Sequence, residues 1–218
     1  MELKLHEEDV YTPVLPEDAV TLMPGMVKLP EGFDGRVVIP EGVRRIEKEC
    51  FKGKPITAVS LPKSLREIGE DAFAKCRLTE LRVEGDGEKI GIDRFAFAGN
   101  PELTAITLGN CELGMWIFRG CPVGRVTLTG ECVPPEKDFT LGFGGCRLYS
   151  DNLFGTVKDK YGGASGTYAL KGKLAETNYK PDDDYKGCAE CDDNRCYTLA
   201  GFEDDRRKKP IFEWEKVE

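Results

Sequence analysis

Three cysteines near the end of the chain have the spacing of metal ligands: Cys188 and Cys191 form a C-x-x-C pair, and Cys196 follows. Thiolates bind zinc well, but a structural zinc site normally has four protein ligands. The cluster supplies three, so a zinc site needs a fourth ligand, and unliganded thiols or a local disulfide are the alternatives. The candidates for the fourth ligand are Cys132, Cys146 and Asp192.

Groups for other kinds of catalysis are scarce. His6 is the single histidine and lies in an acidic segment, so a Ser-His-Asp or Cys-His arrangement is not expected. The C-x-x-C pair is flanked by acidic residues, whose charge opposes the thiolate that disulfide exchange needs. No G-x-S-x-G, phosphate-binding loop or H-E-x-x-H motif occurs. The sequence therefore predicts a protein that is not an enzyme, with a zinc- or thiol-dependent activity at Cys188, Cys191 and Cys196 as the remaining alternative.

The charge pattern bears on partners and location. The net charge is −8, and no basic stripe interrupts it, so nucleic acid is not an expected partner. No apolar run approaches the roughly 20 residues that cross a bilayer, so membrane insertion is not expected. Glu7, Glu8 and Asp9 stand where a signal peptide would be basic or apolar. As given, the chain is expected in the cytoplasm, or at a cell surface if an export signal has been removed.

The architecture follows from a repeat. Pairs of apolar residues separated by one position recur about every 22 residues, a period typical of solenoids. A phenylalanine lies between successive pairs. The pairs are Val37-x-Ile39, Val59-x-Leu61, Leu81-x-Val83, Ile106-x-Leu108 and Val126-x-Leu128. The phenylalanines are Phe51, Phe73, Phe97 and Phe118.

Each repeat predicts one coil. The apolar pair indicates a short strand with alternate side chains inward, and Pro40 or Pro62 ends that strand in two coils because proline lacks a backbone donor. A second apolar pair, such as Leu65 and Ile68, covers the opposite wall. Strands stacked about 4.8 Å apart would form one parallel sheet about 24 Å long. Asn100-Pro101 carries a one-residue insertion.

The best-formed coil resembles a known family. It reads Leu61-Pro-Lys-Ser-Leu-Arg-Glu-Ile-Gly-Glu-Asp-Ala-Phe-Ala-Lys-Cys-Arg-Leu78, which is similar to the L-P-x-S-L-x-x-I-G-x-x-A-F-x-x-C-x-x-L pattern of BspA-like bacterial leucine-rich repeats. The resemblance spans about residues 37–129, with a degenerate coil expected at Phe143–Leu148. It implies a curved solenoid that binds proteins or other ligands, often on bacterial surfaces, and no catalysis.

The ends of the repeat are expected to be capped, because an open end exposes core and strand edge. Asp34-Gly35 predicts a hairpin within a cap at residues 20–36. The fold class is a mainly-β or α/β-type leucine-rich repeat solenoid with one parallel sheet, this hairpin cap and an irregular or β C-terminal appendage. The predicted divisions are an acidic segment and cap at 1–36, the solenoid at 37–150, and the C-terminal cap and polar appendage at 151–218.

Cysteines within the repeats are predicted to be reduced core residues, since a free thiol packs as a small hydrophobe. These are Cys50, Cys76, Cys121 and Cys146.

The outward side of the predicted sheet is the candidate binding face, since solenoids commonly use such a surface for recognition. It is small, polar and of mixed charge, without rows of tyrosine or tryptophan. A protein partner is the expected ligand, and a purely structural repeat domain of a larger assembly is the alternative. The candidate residues are Arg36, Ser60, Glu80, Arg82, Glu84, Thr107, Arg125 and Thr127.

Overall fold

A computed structural model describes residues 10–33, 35–134, 147–171 and 213–218. The chain winds into stacked coils, and the repeated apolar pairs form short parallel strands along one side, here called the first wall. Pairing is in register, with Arg82 beside Thr107 and Thr107 beside Thr127. The strands of the first wall are β1 (Val10–Tyr11), β3 (Gly35–Val38), β5 (Ile56–Ser60), β7 (Glu80–Val83), β9 (Ala105–Leu108) and β11 (Arg125–Leu128).

The second apolar pair of each repeat forms a second wall on the opposite side of the core. It is a six-stranded parallel sheet of strands that are two or three residues long. Ile46, Ile68 and Ile92 align across three of these strands and are buried. The strands are β2 (Thr21–Leu22), β4 (Arg45–Ile46), β6 (Glu67–Ile68), β8 (Ile90–Ile92), β10 (Cys111–Leu113) and β12 (Cys132–Val133).

A column of phenylalanine rings fills the space between the walls. Phe51, Phe73, Phe97 and Phe118 are all 0% exposed. Successive ring centroids lie 4.9, 5.3 and 5.8 Å apart, with interplanar angles of 5°, 6° and 16°. Because each ring packs on the next, the coils share one continuous core, as the solenoid interpretation predicts.

The C-terminal end is closed by a helix and an antiparallel pair. Helix α1 (Arg147–Tyr161) places Leu153 and Val157 in the core, and Tyr168 and Trp214 are also buried. Strand β13 (Gly166–Lys171) pairs antiparallel with β11, and β14 (Glu213–Lys216) pairs antiparallel with β13. The reversal in direction covers the edge of β11, which another parallel coil would otherwise occupy.

Three expectations about this architecture are wrong in detail. The first wall is two sheets rather than one: no ladder joins β5 to β7, although the N–H groups of Arg77 and Thr79 still donate to the carbonyls of Ile56 and Thr57. The second wall is itself a sheet. The segment 147–161, expected to be irregular, is a helix that crosses the division placed at residue 150.

The predicted N-terminal hairpin is also wrong. Strand β3 pairs in parallel with β1 and β5, and β2 pairs in parallel with β4. Residues 27–30, which precede the predicted turn, form no strand, and β2 and β3 belong to opposite walls as an added coil before residue 37. Its apolar residues Leu22, Val27 and Phe33 are buried, so the same hydrophobic burial that builds the repeats also closes this end. Asp34 lies outside the described residues.

Candidate binding groove

The outer face of the first wall is concave and forms a groove of about 840 Å³. Strands β3, β5, β7, β9 and β11 form its floor, and the turns that follow them form one rim. In each strand the inward residues enter the core, as Leu81 and Val83 do in β7. The alternate residues therefore point into the groove, because successive side chains of a strand lie on opposite faces.

All eight residues predicted for the binding face line this one groove. Strand register arranges them within each of the two sheets of the first wall. Arg36 on β3 pairs with Ala58 on β5, and Ser60 lies further along β5. On β7, β9 and β11, Glu80, Ala105 and Arg125 form one column and Arg82, Thr107 and Thr127 form a second, while Glu84 follows β7 at the rim. The structure thus brings the predicted residues together, and their role in binding stays a prediction.

The rim residues were not anticipated from sequence. They come from the turns one to five positions after an inward pair, where the repeat pattern has no apolar signal. Their position relative to the period is the only sequence clue. The main examples are Lys63, Glu88, Asn110, Thr129 and Gly130.

One acidic group in the groove is held in place by its neighbours. Glu84 forms an ion pair with Arg82 and accepts a 2.5 Å hydrogen bond from the Thr129 hydroxyl. Burial raises the pKa of Glu84, but the hydrogen bonds from Thr129 and Arg82 outweigh it, and the pKa is lowered overall. Glu84 therefore remains ionised at neutral pH and largely neutralises Arg82.

The floor of the groove also carries an exposed carboxylate and an exposed guanidinium. Glu80 and Arg125 are exposed and lie in the same column, two strands apart, which corresponds to roughly 10 Å. Within the described part of the chain, neither side chain has an ion-pair partner. An exposed carboxylate and an exposed guanidinium at this separation can each bind an opposite charge on a ligand.

Hydroxyl groups line the C-terminal end of the groove. Thr107 and Thr127 are register partners on β9 and β11, and the Thr127 hydroxyl lies 3.1 Å from that of Thr167, a buried residue of β13 that lies outside the groove lining. The Thr107 and Thr127 hydroxyls can act as donors or acceptors for a backbone or a polar side chain. The groove therefore combines mixed charge and hydroxyls with an apolar lining from Ala58, Val59, Leu61, Leu81, Ala105 and Ile106.

An aromatic cluster lies at a different surface and was missed from the sequence. Phe95 and Trp116 are half-buried in the turns that precede the stacked phenylalanines, and the Arg119 guanidinium lies 6.0 and 5.6 Å from their ring centroids. Both residues have positive φ, 57° and 56°, which is rare for bulky side chains. The equivalent turns of earlier coils place Glu49 and Asp71 there, ion-paired with Lys52.

The cysteine predictions divide into two groups. Cys50, Cys76 and Cys121 are buried free thiols, as predicted. Cys146 and the Cys188, Cys191 and Cys196 cluster lie outside the described residues, so the zinc hypothesis stays a prediction. Within the described ranges, no three histidine, cysteine or carboxylate side chains come together in a group able to hold a metal ion.

The stacked coils, short strands and phenylalanine column define a leucine-rich repeat solenoid. Residues 35–134 match the BspA type leucine-rich repeat region, in six copies. This repeat block therefore belongs to the BspA-type leucine-rich repeat family, which confirms the resemblance seen in the sequence. Neither the curated proteins nor the solved structures include a match to the chain. In the part of the chain that the structure describes, no helix has the length and apolar character needed to span a membrane.

Proposed function

We propose that this chain is a non-enzymatic protein-binding module whose partner occupies the groove on the first wall. The observation that supports this most directly is the convergence of all eight predicted face residues on one concave surface. Leucine-rich repeats generally mediate protein interactions, and a continuous core holds the strands in fixed register, so their outward side chains are preorganised for binding.

The chemistry of the groove indicates what kind of partner surface it would bind. With Arg82 and Glu84 paired, Glu80 and Arg125 are exposed charges on the floor of the groove, and Lys63 and Glu88 are exposed charges on its rim. A partner that presents a basic group to Glu80 and an acidic group to Arg125 would match both floor charges, while its polar backbone groups would meet the hydroxyls of Thr107 and Thr127. Because these charges are exposed to solvent, their contribution to binding would be sensitive to salt.

A charge-reversal experiment tests this proposal. The double variant Glu80→Lys/Arg125→Glu keeps the net charge while reversing both floor charges. The matched control is Glu112→Lys/Lys75→Glu, which makes the same two kinds of change at exposed positions outside the groove. Proteins captured from a lysate of the source cells by the wild-type chain should be lost with the groove variant and retained with the control.

Site-specific cross-linking gives a second readout. A photo-cross-linking residue at Thr107 should capture the same partner, and one at Glu112 on the second wall should not. If the partner is retained by the groove variant, or cross-links only from position 112, the groove is not its binding site. If neither experiment recovers a partner, the repeat domain is structural, as in the alternative interpretation.

A further inference from the structure

Cys111 and Cys132 occupy matched positions at the C-terminal end of the second wall. They are direct register partners on the parallel strands β10 and β12. Cys111 is 0% exposed, and Cys132 is partly exposed. Register partners on adjacent strands point to the same side of the sheet. The two side chains therefore lie at adjacent positions on the same side of the sheet, and Cys132 is accessible to solvent.

Backbone carbonyl groups lie next to both thiols. The Cys132 sulfur lies 3.2 Å from the carbonyl oxygen of Gly109, and the Cys111 sulfur lies 3.9 Å from that of Val83. Cys50 and Cys76 provide a contrast within the same protein. Each is buried against a backbone carbonyl, and burial raises the pKa of both thiols to about 12.

Exposure makes the two thiols chemically different. Cys132 is partly exposed, so a small disulfide can reach its sulfur, whereas Cys111 is buried. The thiolate is the nucleophile in disulfide exchange. Cys132 is thus the attacking group, and Cys111 is the second thiol beside it.

We propose that Cys111 and Cys132 are a reactive dithiol that exchanges with low-molecular-weight disulfides and closes an intramolecular disulfide between β10 and β12. The Cys132 thiolate attacks one sulfur of the small disulfide, which forms a mixed disulfide and releases one small thiolate. Cys111 then loses its proton to solvent and attacks the Cys132 sulfur, which releases the second small thiol. The two protein thiols give up two electrons to the small disulfide, and two small thiols result.

The backbone geometry is compatible with this bond. Adjacent strands lie about 4.8 Å apart, within the range of roughly 4.4–6.8 Å between Cα atoms that disulfides span. The Cβ atoms must approach to about 4 Å. That movement falls on β12, which is two residues long and is the last strand of its sheet in the described residues.

The disulfide would fix the end of the groove described above. Asn110 and Gly130, both rim residues, lie one and two positions before the two cysteines. The N–H of Glu131 donates to the Asn110 side-chain oxygen at 2.9 Å. Linking Cys111 to Cys132 would close the intervening coil covalently. We therefore expect the oxidised protein to unfold at a higher temperature than the reduced protein.

Peptide mapping tests the proposal on the full chain. The reduced wild-type protein is incubated with glutathione disulfide, alkylated, digested without reductant and analysed by mass spectrometry. The expected product is a peptide pair joined through Cys111 and Cys132, with a mass two hydrogens below the sum of the separate peptides. Cys50 and Cys76 in the same sample should react more slowly by about tenfold or more, because their thiolate fractions are much smaller.

Two variants separate the roles of the thiols. In Cys111→Ser the second attack cannot occur, so a glutathione adduct should accumulate on Cys132. In Cys132→Ser the buried Cys111 should remain free of adduct. Thermal melts of the reduced variants show whether they fold. If they do not fold, the peptide map of the wild-type protein tests the proposal by itself. Wild-type protein that lacks the Cys111–Cys132 linkage after this treatment would overturn the proposal, as would a folded Cys111→Ser variant without an adduct on Cys132.

Discussion

The side-chain nitrogen of Asn100 donates a hydrogen bond to the carbonyl oxygen of Phe73 in the preceding coil, at 3.0 Å. Asn100 is 0% exposed and is a buried polar residue within the repeats. The thiols of Cys76 and Cys121 make the equivalent contact in their own coils, each 3.2 Å from the carbonyl of Phe51 or Phe97. A side-chain donor therefore satisfies the phenylalanine carbonyl in three successive coils, and the insertion at Asn100-Pro101 preserves this role with a different residue.

Removing the side-chain amide of Asn100 should lower the free energy of unfolding. Asn100 also donates to the Phe97 carbonyl at 2.7 Å and accepts from the Leu78 N–H at 3.1 Å. Asn100→Ala leaves buried backbone groups unsatisfied, and we expect a loss of about 2–3 kcal/mol in the free energy of unfolding. Urea denaturation measures it. The control is Asn110→Ala, which removes two similar bonds at a half-exposed site and should cost about 1 kcal/mol or less. Equal losses would show that burial does not set the cost.

Lys75 occupies a position that is glycine in the other three coils. Lys75 has φ 56°, and the equivalent residues Gly53, Gly99 and Gly120 have φ between 69° and 74°. The left-handed region disfavours residues with a Cβ atom by about 1–2 kcal/mol, part of which the greater flexibility of unfolded glycine offsets. Lys75→Gly should therefore raise the free energy of unfolding by about 0.5–1 kcal/mol.

The reverse change serves as the control. A Cβ at Gly53 would have no atom within 4 Å, so Gly53→Ala adds backbone strain without a clash. It should lower the free energy of unfolding by about 1 kcal/mol. Thermal and urea denaturation measure the free energy of unfolding of both variants. If Lys75→Gly destabilises the protein, then the side chain of Lys75 makes contacts that outweigh its backbone strain.

Periodicity predicted the repeated parts of this structure because each inward side chain there is set by local alternation and burial. Val59-x-Leu61 and Leu81-x-Val83 mark strands, and Phe51 and Phe73 stack as the period requires. The groove residues followed from the same alternation, since a residue next to an inward one points outward.

The features that were missed depend on contacts between coils or on weak local patterns. Helix α1 contains Leu153 and Val157 four residues apart, a helical spacing that glycines and aromatic residues around it obscured. The break between β5 and β7 depends on strand pairing, which alternation within one strand does not specify. The concavity of the first wall and the pairing of Cys111 with Cys132 likewise arise only when coils stack.

The ion pairs in the turns should make the stability of the protein depend on pH. A hydrogen bond from Lys52 lowers the pKa of Glu49, with a smaller contribution from Lys48. Because the folded pKa lies below the unfolded value of about 4.3, this stabilisation is present above that pH and is lost as pH falls through the folded pKa. In Lys52→Met the pKa of Glu49 should return toward its usual value, and the acid-induced loss of stability should become shallower.

Carboxyl NMR titration of Glu49 and unfolding midpoints measured between about pH 3 and 6 test this prediction. The control is Lys54→Met, because Lys54 does not contribute to the pKa of Glu49. It should leave the Glu49 titration unchanged. A Glu49 titration that is identical in wild type and Lys52→Met would mean that the Lys52 ion pair is not formed in solution.

Close backbone approach explains the glycine at position 69. Its N–H donates to the carbonyl of Ile46 in the preceding coil at 2.8 Å. A Cβ there would lie 2.7 Å from the backbone nitrogen of Lys48 and 3.0 Å from the Ile46 carbonyl oxygen. Both are main-chain atoms of a stacked coil, so the clash can be relieved only by separating coils that share the core. We expect Gly69→Ala to lower the free energy of unfolding by about 2 kcal/mol or more.

Gly25→Ala is the matched control, because a Cβ at that position would meet no atom within 4 Å and the backbone is not in the left-handed region. Its effect should stay within about 0.5 kcal/mol. Urea denaturation of the two variants compares them directly. Because the same approach recurs at Gly114, where a Cβ would lie 2.6 Å from the Ile92 carbonyl oxygen, Gly114→Ala should reproduce the loss. A mild effect at both positions would mean that the coils can separate locally, and that the strand register across the groove floor is less rigid than its continuous core implies.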